Sequence, residues 1–155
     1  MDRLLFMKIG VLLVIAAVLT ACVSNSMQKQ ASINMVGLWE EDSPTVHAIT
    51  LRKADGTYRA KLVGIYDYAK PAVTYESAGH WELNGRECIS TLDYISTPML
   101  RRDIGKQWRE NILASNKDLL RYFSTDGAVV EERRIGEASD SEFEKAPLKP
   151  LANTQ

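Results

Sequence analysis

Apolar and polar residues alternate with a period of two through most of the chain between residues 36 and 136. β-Branched and aromatic residues dominate these stretches, and turn signals such as Asp55-Gly56, Asn84-Gly85 and Asp126-Gly127 separate them. Asp-Gly and Asn-Gly are strong hairpin signals because both central residues of the turn need a positive φ. The pattern predicts eight strands, at residues 36–41, 46–53, 57–66, 74–83, 86–95, 107–115, 119–124 and 128–135.

Successive strands joined by tight turns predict an all-β fold, an antiparallel up-and-down meander. Eight strands with one apolar face tend to curl and close, because closure removes exposed strand edges. We therefore expect a small barrel, with an open half-barrel as the alternative. One helix-compatible stretch, residues 99–106, lies between the fifth and sixth strands.

The two ends of the chain differ from this central domain. Residues 1–21 combine the cationic side chains Arg3 and Lys8, an apolar run and small residues, a pattern typical of a signal peptide. The apolar run, residues 9–23, is shorter than the roughly 20 residues of a membrane-spanning helix. Polar residues 22–35 predict a flexible tether, and the acidic, proline-containing residues 137–155 predict a disordered tail.

The motif Leu19-Thr20-Ala21-Cys22 resembles the lipobox of bacterial lipoproteins. The resemblance implies cleavage before Cys22 and attachment of several acyl chains to it, which would anchor the chain durably in membrane lipid. Val23 in place of an aspartate favours the outer membrane, with the domain facing the periplasm. The mature chain would carry 17 basic and 19 acidic side chains without a basic stripe, so we expect no nucleic-acid partner.

The hairpin at Asn84-Gly85 bears on a candidate catalytic pair. As a two-residue turn it places Trp81 opposite Cys88 on an inner face and His80 on the polar outer face. A thiol and an imidazole must lie within hydrogen-bond reach to act together, so we expect no catalysis by Cys88 and His80. Cys88 should instead be buried beside Trp81. A metal site at His80 and Glu76 is the less favoured alternative to a solvated surface, and no catalytic, metal or cofactor motif is present.

The Asp55-Gly56 hairpin, taken as a two-residue turn, pairs Leu51 with Ala60 and places His47 on the inner face. His47 then either lines a cavity or is a structural histidine bonded to a backbone carbonyl or a tyrosine. Amphipathic tyrosines on inner faces could orient a ligand, or could simply fill a narrow barrel. The last hairpin leaves open whether Tyr122 or Phe123 points inward. The candidate cavity-lining residues are His47, Tyr58, Tyr66, Tyr75, Ser77, Trp81, Ser90 and Tyr94.

Gly37-Leu38-Trp39, at the start of the first strand, resembles the Gly-x-Trp signature of the lipocalins. The resemblance implies that Gly37 and Trp39 close the base of the barrel and that an arginine of the last strand packs near the tryptophan. Arg133 or Arg134 could take this part, and Arg133 is our candidate. The domain is shorter than a full lipocalin, and its sequence shows no strong C-terminal helix.

These observations predict a lipid-anchored, non-catalytic lipocalin-like protein that binds a small apolar or amphipathic molecule of the bacterial cell envelope. The alternative is an accessory or inhibitory lipoprotein that contacts another envelope protein. A hydrolase or metal-handling protein built around His47 comes third. An enclosed cavity of a few hundred cubic ångströms would support the first hypothesis, and a filled barrel would contradict it.

Overall fold

A computed structural model describes residues 34–65 and 71–151 as an eight-stranded antiparallel barrel. Each strand pairs with the next, and pairing of the first strand with the last closes the barrel. The all-β, up-and-down barrel is therefore confirmed in its closed form. The strands are β1 (Gly37–Asp42), β2 (Val46–Arg52), β3 (Thr57–Gly64), β4 (Val73–Asn84), β5 (Glu87–Ile95), β6 (Gln107–Ser115), β7 (Leu119–Phe123) and β8 (Val129–Gly136).

Residues 34 and 35, just before β1, are helical, and two short helices follow later in the chain. A 3-10 helix, Pro98–Asp103, overlaps the helix-compatible stretch 99–106 between β5 and β6, and helix α1 (Asp140–Lys145) follows β8. The predicted signal segment, Cys22 and most of the tether lie outside the described residues, as does Tyr66. In the part of the chain that the structure describes, no helix is both long enough and apolar enough to cross a membrane.

The turn between β4 and β5 differs from the predicted one without changing which faces point inward. The closing pair is Asn84 with Glu87, so Leu83 lies opposite Cys88 and Trp81 opposite Ser90. The register is shifted by two residues from the predicted one, and a two-residue shift keeps every side chain on its face. Cys88 is accordingly buried with Trp81 in one core cluster, as predicted.

The turn between β2 and β3 also differs from the predicted one, and this difference exchanges the two faces of β2. The loop has three residues, 54–56, closed where the Lys53 N–H donates to the Thr57 carbonyl at 2.9 Å. Gly56 has a φ of 83°, which suits the last position of a three-residue hairpin loop. Thr50, and not Leu51, therefore lies opposite Ala60. A one-residue slip exchanges the two faces of a strand, so the predicted inner position of His47 is wrong.

The outer face of β2 is buried by the C-terminal segment. Phe143 of α1 is 1% exposed and forms a core cluster with Leu38, Ile49 and Leu51. The Lys61 ammonium donates to the Phe143 carbonyl at 2.6 Å. Residues 137–151 are thus packed onto the barrel, against the expectation of a disordered tail. Their few apolar side chains suffice because β1 and β2 present an apolar outer surface to them.

One end of the barrel is filled by a core cluster around Trp39, which has no exposed surface. Its indole N–H donates to the Met35 carbonyl at 2.8 Å, and the Arg134 guanidinium carbon lies 5.3 Å from the ring centroid. A Cβ at Gly37 would come within 2.6 Å of the Arg134 Nη2, so this packing requires glycine. Arg133 points into solvent with 76% of its side chain exposed. Our choice of Arg133 is therefore corrected to Arg134.

Candidate functional site

A cavity of about 640 Å³ lies inside the barrel, beyond the core cluster that fills the closed end. More of its wall is apolar than polar. The 3-10 helix between β5 and β6 borders the opposite end and contributes Leu100, Arg102 and Asp103 to the lining. The volume is within the range of small-molecule pockets. The apolar wall residues include Ala48, Ala60, Leu62, Leu92, Ile95 and Trp108.

Apart from His47 and Tyr66, the predicted lining residues divide into three groups. Tyr58, Tyr75, Ser77 and Ser90 line the cavity, whereas Trp81 packs in the core cluster at the closed end. Tyr94 points outward and is 54% exposed. An irregularity in the pairing of β4 and β5 places Tyr94 opposite Ala78 and turns Ile95 inward, because one extra residue in a strand inverts the alternation beyond it.

His47 lies outside the cavity, in a structural network beneath the C-terminal segment. The Lys149 backbone N–H donates to His47 Nδ1 at 3.2 Å. The other ring nitrogen, Nε2, therefore carries the proton and donates to Glu40 at 3.0 Å. Hydrogen bonds from Lys149 and His47 hold the pKa of Glu40 below its usual value. His47 is a structural histidine with partners other than those predicted, and the hypothesis of a site around an interior His47 loses its basis.

Cys88 and His80 do not form a pair. Cys88 is 1% exposed inside the barrel, and burial raises the pKa of its thiol to about 11. A protonated thiol is a poor nucleophile. His80 lies on the outer face, where its Nδ1 is 2.6 Å from a carboxylate oxygen of Asp93. Among the described residues, no three histidine, cysteine, aspartate or glutamate side chains are placed to hold a metal ion.

A buried ion pair, which the sequence analysis did not identify, lies at the closed end of the cavity. Arg52 makes two hydrogen bonds to the Glu132 carboxylate, at 2.5 and 3.0 Å. The Tyr122 hydroxyl donates to the same carboxylate at 2.9 Å. Arg52 and Glu132 are 6% and 3% exposed. Glu132 thus engages Arg52 through both of its oxygens.

Two further glutamates, Glu41 and Glu110, line the same cavity. Burial raises the pKa of each carboxyl to about 7, and repulsion from Glu132 adds to the effect. Arg52 opposes the shift at both residues, but less than burial raises it. The cavity therefore carries two carboxyl groups that change their charge close to neutral pH.

The sequence does contain a signal for these glutamates. Glu41 stands two residues after Trp39, Glu110 lies midway between Trp108 and Ile112, and Glu132 stands two residues after Val130. Period-two alternation places each glutamate on the same face as an apolar neighbour. A glutamate on the apolar face of a strand is a candidate site residue. Only closure of the barrel shows that β1, β6 and β8 bring these three glutamates together.

We expect Glu41→Gln and Glu110→Gln each to raise the free energy of unfolding at pH 8 by about 1–3 kcal/mol, with little gain at pH 4.5. In the folded chain these carboxyls keep their protons up to about pH 7, from an ordinary value of 4.5. Stability contributed by the protonated groups is therefore lost as pH rises from about 4.5 to 7, and an amide avoids that loss. Denaturant unfolding at both pH values measures the effect.

The matched control for this experiment is Glu82→Gln, on the exposed outer face of β4. It should change the free energy of unfolding little at either pH, because its carboxylate is already solvated. An equal gain at pH 4.5 and pH 8 for the cavity variants would contradict the assignment of raised pKa values.

Comparison with known proteins does not assign the chain to a family. No protein-family model matches the chain, and no curated protein is significantly similar to it in sequence.

Proposed function

We propose that this protein is a non-catalytic, lipocalin-like binding protein that holds a small apolar or amphipathic molecule of the cell envelope inside its barrel. The observation that carries the proposal is the cavity of about 640 Å³, whose wall is more apolar than polar and which has a few buried polar groups at its closed end. Pockets that bind small molecules combine these features, since apolar walls supply affinity and a few polar groups fix orientation.

The closed end supports the lipocalin-like part of the proposal. Gly37, Trp39 and Arg134 pack together where the first and last strands meet, the arrangement that the Gly-x-Trp resemblance implies. The core cluster behind Trp39 seals this end, so a ligand would enter from the end bordered by the 3-10 helix.

We also propose where in the cell the protein is located. The lipobox-like motif ending at Cys22 supports lipid anchoring in the bacterial cell envelope, with the outer membrane and a periplasm-facing barrel favoured by Val23. The alternative function, contact with another envelope protein, stays a prediction.

Filling the cavity should abolish binding. We expect Ala60→Trp to weaken binding of the neutral fluorescent probe N-phenyl-1-naphthylamine at least about tenfold, because the new indole would occupy space that the probe needs. Ala60 is 6% exposed and lines the cavity. The measurement is fluorescence titration of the full chain in lipid nanodiscs, with the signal of empty nanodiscs subtracted.

Two further variants make this test decisive. Thr74→Trp adds the same ring on the exposed outer side of β4 and should bind the probe like the unmodified chain. Ser90→Trp fills the cavity from β5, which covers the case in which Ala60→Trp fails to fold. If a cavity-filling variant unfolds cooperatively and still binds the probe with unchanged affinity, the proposal is wrong.

A further inference from the structure

The charges at the closed end of the cavity do not balance. Glu132 takes both hydrogen bonds of the Arg52 guanidinium described above, which leaves Glu41 and Glu110 as additional carboxyl groups. Glu110 is mostly buried and lines the cavity, and its carboxyl forms no hydrogen bond with another described residue. A buried carboxylate without a partner is costly, so a ligand that brings a positive charge would remove an existing penalty.

The surroundings of these carboxyls suit an organic cation. Trp108 is two residues from Glu110 on the same inner face of β6, and the rings of Tyr58 and Tyr122 also line the cavity. Aromatic rings attract ammonium groups through their negative faces. Beyond these groups the wall includes the aliphatic side chains of Leu62, Leu92 and Ile95, which suit the apolar part of the same molecule. Arg102 and Asp103 of the 3-10 helix add one charge of each sign at the open end.

Two other head groups fit less well. An anionic head would need a free guanidinium at the closed end, but Glu132 already engages Arg52 there at 2.5 and 3.0 Å. The other arginine of the lining, Arg102, is an exposed residue of the 3-10 helix and stands next to Asp103, whose charge opposes its own. A metal ion would need several converging ligands, and the described residues contain no such group. An organic cation needs only one or two carboxylates and tolerates looser geometry than a metal.

We propose that the cavity binds an amphipathic amine, with its ammonium head against Glu110 and Glu41 and its apolar body against the aliphatic walls. This inference rests on the proposed function, because it concerns the same cavity. A carboxyl that is protonated before binding releases its proton to solvent when the ammonium arrives. The amine keeps its own proton, since alkylammonium groups titrate near pH 10.

The test compares three probes with one body: 4-phenylbutylamine, 4-phenylbutan-1-ol and 4-phenylbutanoate. Isothermal titration calorimetry would use the full chain in lipid nanodiscs at pH 6 and pH 8, with empty nanodiscs subtracted. At pH 8 we expect the amine to bind at least about tenfold more tightly than the alcohol. Its affinity should rise about tenfold from pH 6 to pH 8, because a carboxyl with a pKa of about 7 becomes ionised over this range.

Proton release gives a second readout. At pH 6, amine binding should show heats that differ between two buffers of different ionisation enthalpy, and alcohol binding should not. Glu110→Gln should lower the affinity for the amine to about that for the alcohol and reduce the proton release. The exposed variant Glu82→Gln should change neither quantity.

The outcomes separate this inference from the proposed function. Equal binding of amine and alcohol at both pH values would overturn the inference and leave the proposed function standing. Tighter binding of the butanoate than of the amine, strongest at pH 6, would also overturn it, in favour of an acidic ligand. If none of the three probes binds and the cavity-filling variants have no effect on N-phenyl-1-naphthylamine, the proposed function fails as well.

Discussion

Replacing Arg52 with methionine is expected to lower the free energy of unfolding at pH 8 by about 3–5 kcal/mol, since it removes one partner of a buried ion pair. Glu132 would then be left as a carboxylate, 3% exposed, in the same cavity as Glu41 and Glu110. At pH 5 the loss should be smaller, because Glu41 and Glu110 are then protonated and no longer repel the Glu132 carboxylate. Urea unfolding at the two pH values measures both effects.

The double variant Arg52→Met/Glu132→Leu should recover at least half of that loss, because it removes both charges. Arg121→Met is the matched control. Arg121 lies on the outer face of β7, 3.6 Å from Glu131 and 47% exposed, and its removal should cost less than about 1 kcal/mol. A loss at Arg52 as small as that at Arg121 would show that the buried pair does not stabilise the fold.

Replacing Phe143 with alanine is expected to cost about 3–5 kcal/mol, the usual range for truncating a buried aromatic ring. The ring is 1% exposed, packs on Ile49 and Leu51, and lies 4.6 Å from the Arg59 guanidinium carbon. Its loss would uncover the apolar outer face of β2. Denaturant unfolding measures the cost, and faster amide hydrogen exchange in β2 would locate it.

Lys145→Ala is the control on the same helix. Lys145 is exposed, so its truncation should change stability by no more than about 0.5 kcal/mol. If Phe143→Ala unfolds at the same denaturant concentration as the unmodified chain, then α1 is not part of the cooperative unit, and the outer face of β2 must be stabilised by other contacts.

Most strand positions could be predicted from the sequence because period-two alternation and turn residues act locally. Asp55-Gly56 and Asn84-Gly85 mark real turns, although neither loop consists of those two residues alone. At Asn84-Gly85 the predicted register is wrong by two residues, so each side chain still lies on the predicted face of the sheet. At Asp55-Gly56 the predicted register is wrong by one residue, so the inner and outer faces of β2 are exchanged. Turn residues thus locate a hairpin more reliably than they fix its register.

The candidate site could be predicted only in part. Period-two alternation alone correctly placed four residues in the cavity, Tyr58, Tyr75, Ser77 and Ser90. The prediction for Tyr94 is wrong because an irregular pairing next to it inverts the alternation of inward and outward side chains. The charged groups were missed for another reason. A glutamate in a strand is usually solvated, and nothing within one strand shows that Glu41, Glu110 and Glu132 share a cavity with Arg52.

The sequence by itself determined the number of strands, their order along the chain and the burial of Cys88, since each depends on residues close together in the chain. The tertiary structure decided which face of β2 points inward. Both faces of that strand are apolar enough to be buried, and the three-residue loop and the packing of Phe143 select one of them. Closure of the barrel likewise brought Arg52 to Glu132, 80 residues apart in sequence, because long-range electrostatic contacts exist only once the strands that carry them have paired.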